Sequence, residues 1–304
     1  MKKFLYKIVV FISLFFGGII FLFNFYGGYI DYFYPKFTTQ KQFSFILGDS
    51  RAFQGIHPKE LNVTLKNSNF KLPSYNFSFT IAQTAYGPSY LEAIKRKLDT
   101  LENNQLFIVT VNPWMLAKRT PKEEKESDEI FQDSPPHNMK NMSSNPNIEY
   151  LIKNQSYSHF KSIFRKKSKT FKDGHRENYN LPSSKKVFKE WMEIQKKMFL
   201  EFSEKYTISE FRLEWLGKTI SYLKQYGSVV LVRLPIDNEI LEVENDFWKE
   251  FDSSIEAVSL KNNTTYLNFS KELRWSTYDG HHLDKNGAKT FTKTLGDKIK
   301  QISF

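Results

Sequence analysis

Apolar and polar positions divide the chain into one long apolar block and a body in which short apolar runs alternate with amphipathic ones. Residues 8–30, IVVFISLFFGGIIFLFNFYGGYI, carry no charged side chain. At about 1.5 Å of rise per residue a helix over them spans a bilayer core of about 30 Å. Lys2, Lys3 and Lys7 precede the block, the bias that keeps such an end in the cytoplasm. A cleaved signal peptide would open the same way, but the run is long for an h-region and no small-x-small cleavage site follows it. The expectation is a single-pass anchor in the cytoplasmic membrane with the rest of the chain extracytoplasmic. Residues 1–34 would form the anchor and an interfacial belt of Tyr26, Tyr29, Tyr32 and Tyr34, and residues 35–304 one domain.

In the body, FSFIL (43–47), LPSYNFSF (72–79), LFIVTVN (106–112), SVVLVRL (228–234) and TYLNF (265–269) read as strands. Between the second and third, Tyr90, Ala93, Ile94, Lys97, Leu98 and Leu101 recur near helical spacing. Phe211, Trp215, Ile220 and Leu223 do so over 208–227, which ends in Gly227. Further helices are expected over 245–260 and from Lys285. Strands separated by helices imply a mainly parallel sheet covered on both faces, a three-layer α/β/α architecture. Residues 118 to about 184 break the alternation with Pro121, Pro135, Pro136, Pro146 and the charge run KEEKE, and read as a long polar, basic insertion.

Composition narrows the chemistry. Of 304 residues 40% are hydrophobic and 16% aromatic, ample for a packed core. The absence of cysteine removes thiol catalysis, disulfides and thiolate metal sites. Much of the net charge of +11 sits between Lys153 and Lys197, where 13 Lys or Arg face only Asp173, Glu177, Glu190 and Glu193. This stretch reads either as a surface for anionic lipid or an acidic envelope polymer, or as a solvated helical face and loop. No zinc-finger or RNA-binding motif is present, and nucleic acid is not an expected partner.

Ligands of open parallel sheets bind beyond the carboxyl ends of the strands, and three polar signals fall at such ends: Gly48-Asp49-Ser50, Asn112, and TYDGHHLDKNGA (277–288). A tight turn after the first strand would expose the Ser50 hydroxyl. Asp279 and His282, in Asp-x-x-His spacing, offer a carboxylate to orient an imidazole base. His281 offers the competing spacing. Asp284 suits a cap for the last helix, and His57 in IHPKEL, seven positions after Ser50, suits a loop or cap, with catalysis as the other role open to it. Arg51 and Arg233 are candidates for binding an anionic substrate group, with structural ion pairs as the other role open to each. Neither a second His-rich cluster nor paired carboxylates stand near the motifs, so no metal and no cofactor are expected.

LGDSRAF and DGHHLDKNGA together resemble the first and last blocks of the SGNH or GDSL hydrolase superfamily. The resemblance implies a flavodoxin-like fold, Ser50 as nucleophile, and His282, which precedes the matching Leu283, with Asp279 as the other triad members. It also implies an oxyanion hole that includes Ser50 and Asn112, although Asn112 in VTVNPW lacks a preceding glycine; YNFSF has no glycine at the second block, where Asn76 or the backbone near Ser78 would substitute. Single-pass proteins of this kind work beside membrane-bound O-acyltransferases. The expectation is therefore a serine esterase or O-acyltransferase handling acyl groups, acetyl above all, on a cell-envelope glycan or acylated polymer. Its rival is a non-catalytic scaffold of the same fold, partnering such an acyltransferase.

Overall fold

The computed structural model describes residues 1–119, 133–156, 161, 164 and 166–303. The apolar block forms one helix, α1 (Lys2–Ile30), with a mean hydropathy of 2.5 in its most apolar window. It is long and apolar enough to cross a membrane. Most of its side chains are exposed; Phe23, Gly27 and Ile30, toward its end, are buried against the body. There the Phe23 ring packs on Tyr34 with centroids 4.6 Å apart. Tyr34 is therefore buried in the domain instead of joining an interfacial belt, and its hydroxyl accepts the Asn147 N–H.

The body runs β1 (Phe45–Leu47), α2 (Ser50–Gly55), α3 (Pro58–Thr64), β2 (Tyr75–Asn76), α4 (Pro88–Lys97), β3 (Gln105–Thr110), β4 (Ala117–Arg119), α5 (Ile148–Asn154), β5 (Ser168–Thr170), β6 (Arg176–Asn178), α6 (Lys185–Lys205), β7 (Tyr206–Ile208), α7 (Glu210–Leu223), β8 (Gly227–Arg233), α8 (Asn238–Phe247), α9 (Phe251–Lys261), β9 (Thr265–Asn268) and α10 (Lys285–Lys300). The main sheet is all parallel, in the order β2-β1-β3-β8-β9. This is a doubly wound, flavodoxin-like order.

Alternate strand residues go to opposite faces, and both faces are covered. Phe45, Leu47, Phe107, Val109, Val229 and Leu231 pack with Ile94 of α4, Leu216 and Ile220 of α7 and Ile255 of α9. Ile46, Ile108, Val230 and Val232 pack on the other side with Ala52 of α2, Leu61 of α3 and Leu295 of α10. The three layers expected from the alternation are present.

The helix expected over 245–260 is two helices, α8 and α9, separated at Trp248. That residue is buried and leaves the helical region at φ −143°. Arg233, at the end of β8, fixes the break by gripping both: Nη2 reaches Glu244 of α8 at 2.9 Å and Nη1 reaches Asp252 of α9 at 2.8 Å. The 72–79 segment has a ladder of only two residues, but Phe77 and Phe79 still donate to Ile46 and Gly48 of the β1 segment. Inside the 118–184 stretch the described residues form most of β4, which pairs with β7, then α5, and the antiparallel β5–β6 hairpin. The KEEKE run and Pro121 lie outside the described residues, as do parts of the basic stretch.

Candidate active site

β1 is hydrogen-bonded to β2 on one side and β3 on the other, so its carboxyl end is where the strand order reverses and a crevice opens. The chain turns there on Gly48, at φ +151°, where a Cβ would run into Thr110 Oγ1. Only glycine fits. Asp49 caps α2 by accepting the Arg51 N–H at 3.0 Å, and Ser50 becomes the first residue of that helix, half-buried at the crevice.

The other members come from the turn after β9. Its Gly280 stands at φ +90° and accepts the Asp237 N–H, while Tyr278 N–H donates to the His282 carbonyl. This closes a loop that brings Asp279 back on His282. His282 Nε2 lies 2.9 Å from Ser50 Oγ, and its Nδ1 lies 2.8 Å from Asp279 Oδ2. Asp279 Oδ1 accepts the backbone N–H of His282 at 2.9 Å and of His281 at 3.2 Å. The Tyr278 ring lies parallel to His282, with centroids 5.6 Å apart, and its hydroxyl donates to Gln54 Oε1 of α2.

Burial opposes the charge on Asp279, but His282, His281 and the hydrogen bonds from His282 outweigh it and hold the carboxyl well below its usual 3.8. It is an anion at any working pH. His281 is buried edge-on to Phe199; burial, then the neighbouring His282, push its imidazole well below 6.5, so it stays neutral. An anionic carboxylate, an imidazole and a hydroxyl in one hydrogen-bonded line can move the serine proton to Nε2 and stabilise the resulting cation at Nδ1.

A pocket of about 220 Å³ opens on Ser50 and His282, walled by Ile81, Met198, Phe199 and Phe202. Sequence reasoning missed the α6 wall. Its signal was present: Met192, Phe199 and Phe202 recur at helical spacing within a run read only for its charge. A larger hollow of about 880 Å³ lies beside the end of α1 and does not meet Ser50.

Of four other candidates, the two asparagines are turned from the oxyanion role expected of them, and the two arginines take the ion-pair role left open to each. Asn76 is fully buried, its amide donating to the Ala52 and Ile56 carbonyls at 2.9 and 3.0 Å and its oxygen accepting the Ser78 N–H. Both amide hydrogens are engaged in tying α2 to β2, and none is left for an oxyanion. Asn112 is buried too: it donates to Asp49 Oδ2 at 2.7 Å and accepts from Trp114 and Met115, so it props the Asp49 turn from behind. Arg51 touches the pocket, but its Nη2 is held by Glu244 at 2.6 Å. Arg233 is 1% exposed and committed to Glu244 and Asp252, out of reach of substrate. Glu244 is fully buried. Although burial raises its pKa, Arg51 and then Arg233 overcome this and hold it below its usual value. Asp284 caps α10 as expected, accepting from Asn286 and Gly287. His57 occupies the N-cap position of α3 without its side chain capping.

No protein-family model and no curated protein matches the chain. Solved structures do. A carbohydrate acetylesterase from Sinorhizobium meliloti is 10% identical, with a TM-score of 0.40, over 86% of this chain and 99% of that one. The native aryl esterase of M. smegmatis is 11% identical, with a TM-score of 0.39, over 86% and 100%. Likeness at that distance carries over neither activity nor substrate, and the chemistry has to be read from the side chains.

Among the described residues two groups of His and carboxylate could hold a metal ion: Asp279, His281 and His282, which the Ser50 line occupies, and His57, His175 and Glu177.

Proposed function

We propose that the protein is a serine esterase or O-acyltransferase that handles short acyl groups, acetyl above all, on a cell-envelope glycan outside the cytoplasmic membrane, to which α1 anchors it. The observation that carries the reading is the continuous line from Asp279 through His282 to Ser50, at 2.8 and 2.9 Å. In this mechanism Ser50 Oγ attacks the ester carbonyl while His282 Nε2 takes its proton. The same proton then goes to the departing sugar oxygen, leaving an acyl-serine. Water or a second sugar hydroxyl, deprotonated by His282, attacks the acyl carbon and releases Ser50.

The oxyanion would be met by backbone donors, because Asn76 and Asn112 face away. As the first residue of α2, Ser50 has an amide without an intrahelical acceptor. Across the pocket, the Thr80 amide donates to no protein acceptor among the described residues. The apolar walls and volume of about 220 Å³ suit an acetyl or propionyl group. Acylation by a membrane-bound O-acyltransferase partner would explain an anchor on such a domain.

The test is hydrolysis of p-nitrophenyl esters by the full chain in detergent. Acetate should be cleaved faster than butyrate, and octanoate not measurably; equal rates, or none, would contradict the reading. An alkaline phosphatase fused at the C-terminus should be active if the domain is extracytoplasmic. One observation favours the scaffold reading: neither asparagine presents an amide to the pocket. Absence of hydrolysis from a folded protein would select it.

A further inference from the structure

Just past the end of α2, opposite Ser50, His57 meets the β5–β6 hairpin of the insertion. The rings of His57 and His175 lie with centroids 4.3 Å apart, and Glu177 stands beside them. All three are buried, at 2%, 6% and 7% exposure. Among the described residues, the Nε2 atoms of both histidines have no hydrogen-bond partner. Two orphaned imidazole nitrogens in one buried spot are costly, at about 1–3 kcal/mol each.

The remaining atoms of the cluster are arranged as metal-binding side chains are. The other ring nitrogen of His57 is hydrogen-bonded to the backbone of Gln54. His175 Nδ1 lies 2.6 Å from Asp173 Oδ1, a carboxylate behind an imidazole. Glu177 places Oε2 on Lys285 at 2.8 Å, leaving Oε1 3.8 Å from His175 Nε2. One donor atom from each of the three residues lies within 4.8 Å of the other two. Small side-chain rotations would bring them to about 2.0–2.1 Å from a common ion, with water as fourth ligand.

We propose that His57, His175 and Glu177 bind one divalent transition-metal ion, Zn²⁺ by the character of the donors, as a clamp between the hairpin and the serine-bearing helix. The clamp joins parts of the chain that are remote in sequence. On its outer side the hairpin packs on α1, where the Thr170 carbonyl closes on Gly28 and leaves no room for a Cβ. On its inner side Lys36 Nζ donates to the Gly174 and Asn76 carbonyls at 2.6 Å each. The ion would complete the seam between the anchor, the hairpin and α2. Its chemistry is structural: it exchanges no electrons and touches no reacting atom.

Without a metal, the rival account is a protonated His175 bridging two acids. Although burial lowers its pKa, the hydrogen bond to Asp173 and the nearby Glu177 carboxylate raise it above 6.5. The experiment is titration of the full chain, stripped with EDTA and held in detergent, with Zn²⁺ by calorimetry and with Co²⁺ by visible absorption. The proposal expects one equivalent of Zn²⁺, a raised thermal midpoint, and a Co²⁺ spectrum of low-coordinate nitrogen and oxygen ligation. Asp173→Asn, which keeps all three donors, should weaken Zn²⁺ by about 10- to 100-fold, and His57→Gln by more. No uptake by the folded wild type would overturn the proposal in favour of the bridging imidazolium, whether or not the variants fold. Uptake unchanged by His57→Gln but lost in His281→Ala would overturn it by assigning the ion to the Asp279 group.

Discussion

The two ends of α2 carry the same kinds of side chain in opposite states of completion. At its start, His282 has one nitrogen on Ser50 and the other on Asp279. Beyond its end, His57 and His175 each have an inner nitrogen fixed by the protein and an outer one without a hydrogen-bond partner among the described residues. A line that ends on a hydroxyl is complete as a proton relay and needs no further ligand. A pair of buried lone pairs beside a carboxylate is complete only with a cation. Six residues of helix thus separate an arrangement built to move a proton from one built to hold an ion.

The strongest way to break this comparison is to remove the relay. Ser50→Ala or His282→Ala should lower the esterase rate by about 10⁶-fold, and the double variant should lose little more than either, since neither group acts without the other. Additive losses in a kinetic assay would mean the two residues do not work as a unit. Asp279→Asn should cost about 10⁴-fold, because an amide can hold the imidazole in the wrong tautomer and cannot stabilise its cation. The same variant sharpens the acid behaviour. The folded pKa of Asp279 lies below its unfolded 3.8, so the stability it contributes is present above about pH 4 and lost as the pH falls below that. Urea unfolding should therefore show wild type losing stability more steeply than Asp279→Asn below pH 4.

Arg233→Met tests the ion-pair role that Arg233 takes at the end of β8. It leaves Glu244 buried with Arg51 and without its second guanidinium, and should cost about 3 kcal/mol of stability. A thermal melt would register the loss, while KM for a neutral ester in the folded fraction should be unchanged. A raised KM with an unchanged melt would return Arg233 to the substrate. The smallest effect is expected at His281, which packs beside the relay and hands nothing to Ser50: His281→Ala should lower the rate less than tenfold.

The sequence made the relay legible because its parts are local. Gly48, Asp49 and Ser50 are consecutive at a strand end, and Asp279 and His282 share one turn, so each half lies in one short segment, with the family block deciding between His281 and His282. The sheet was legible for a similar reason, since fully buried parallel strands appear as unbroken apolar runs. What escaped was set by tertiary contact. Asn112 sits where the third family block has its asparagine and Asn76 stands in for a missing glycine, but which way an amide points depends on the Ala52, Ile56 and Asp49 atoms it meets. The break at Trp248 has no glycine or proline to announce it and depends on Arg233 reaching two helices. The His57 cluster draws on residues far apart in sequence, and no spacing rule links His57 to His175-x-Glu177.

The central claim is that Ser50 is a nucleophile, and the most direct measurement is covalent capture. The full chain in detergent is incubated with a serine-directed phosphonate and digested, and the adduct is located by mass spectrometry. The account predicts one stoichiometric adduct on Ser50, slowed sharply by His282→Ala and left almost unchanged by His281→Ala. A folded protein that takes no label, or one whose labelling survives Ser50→Ala, would contradict it.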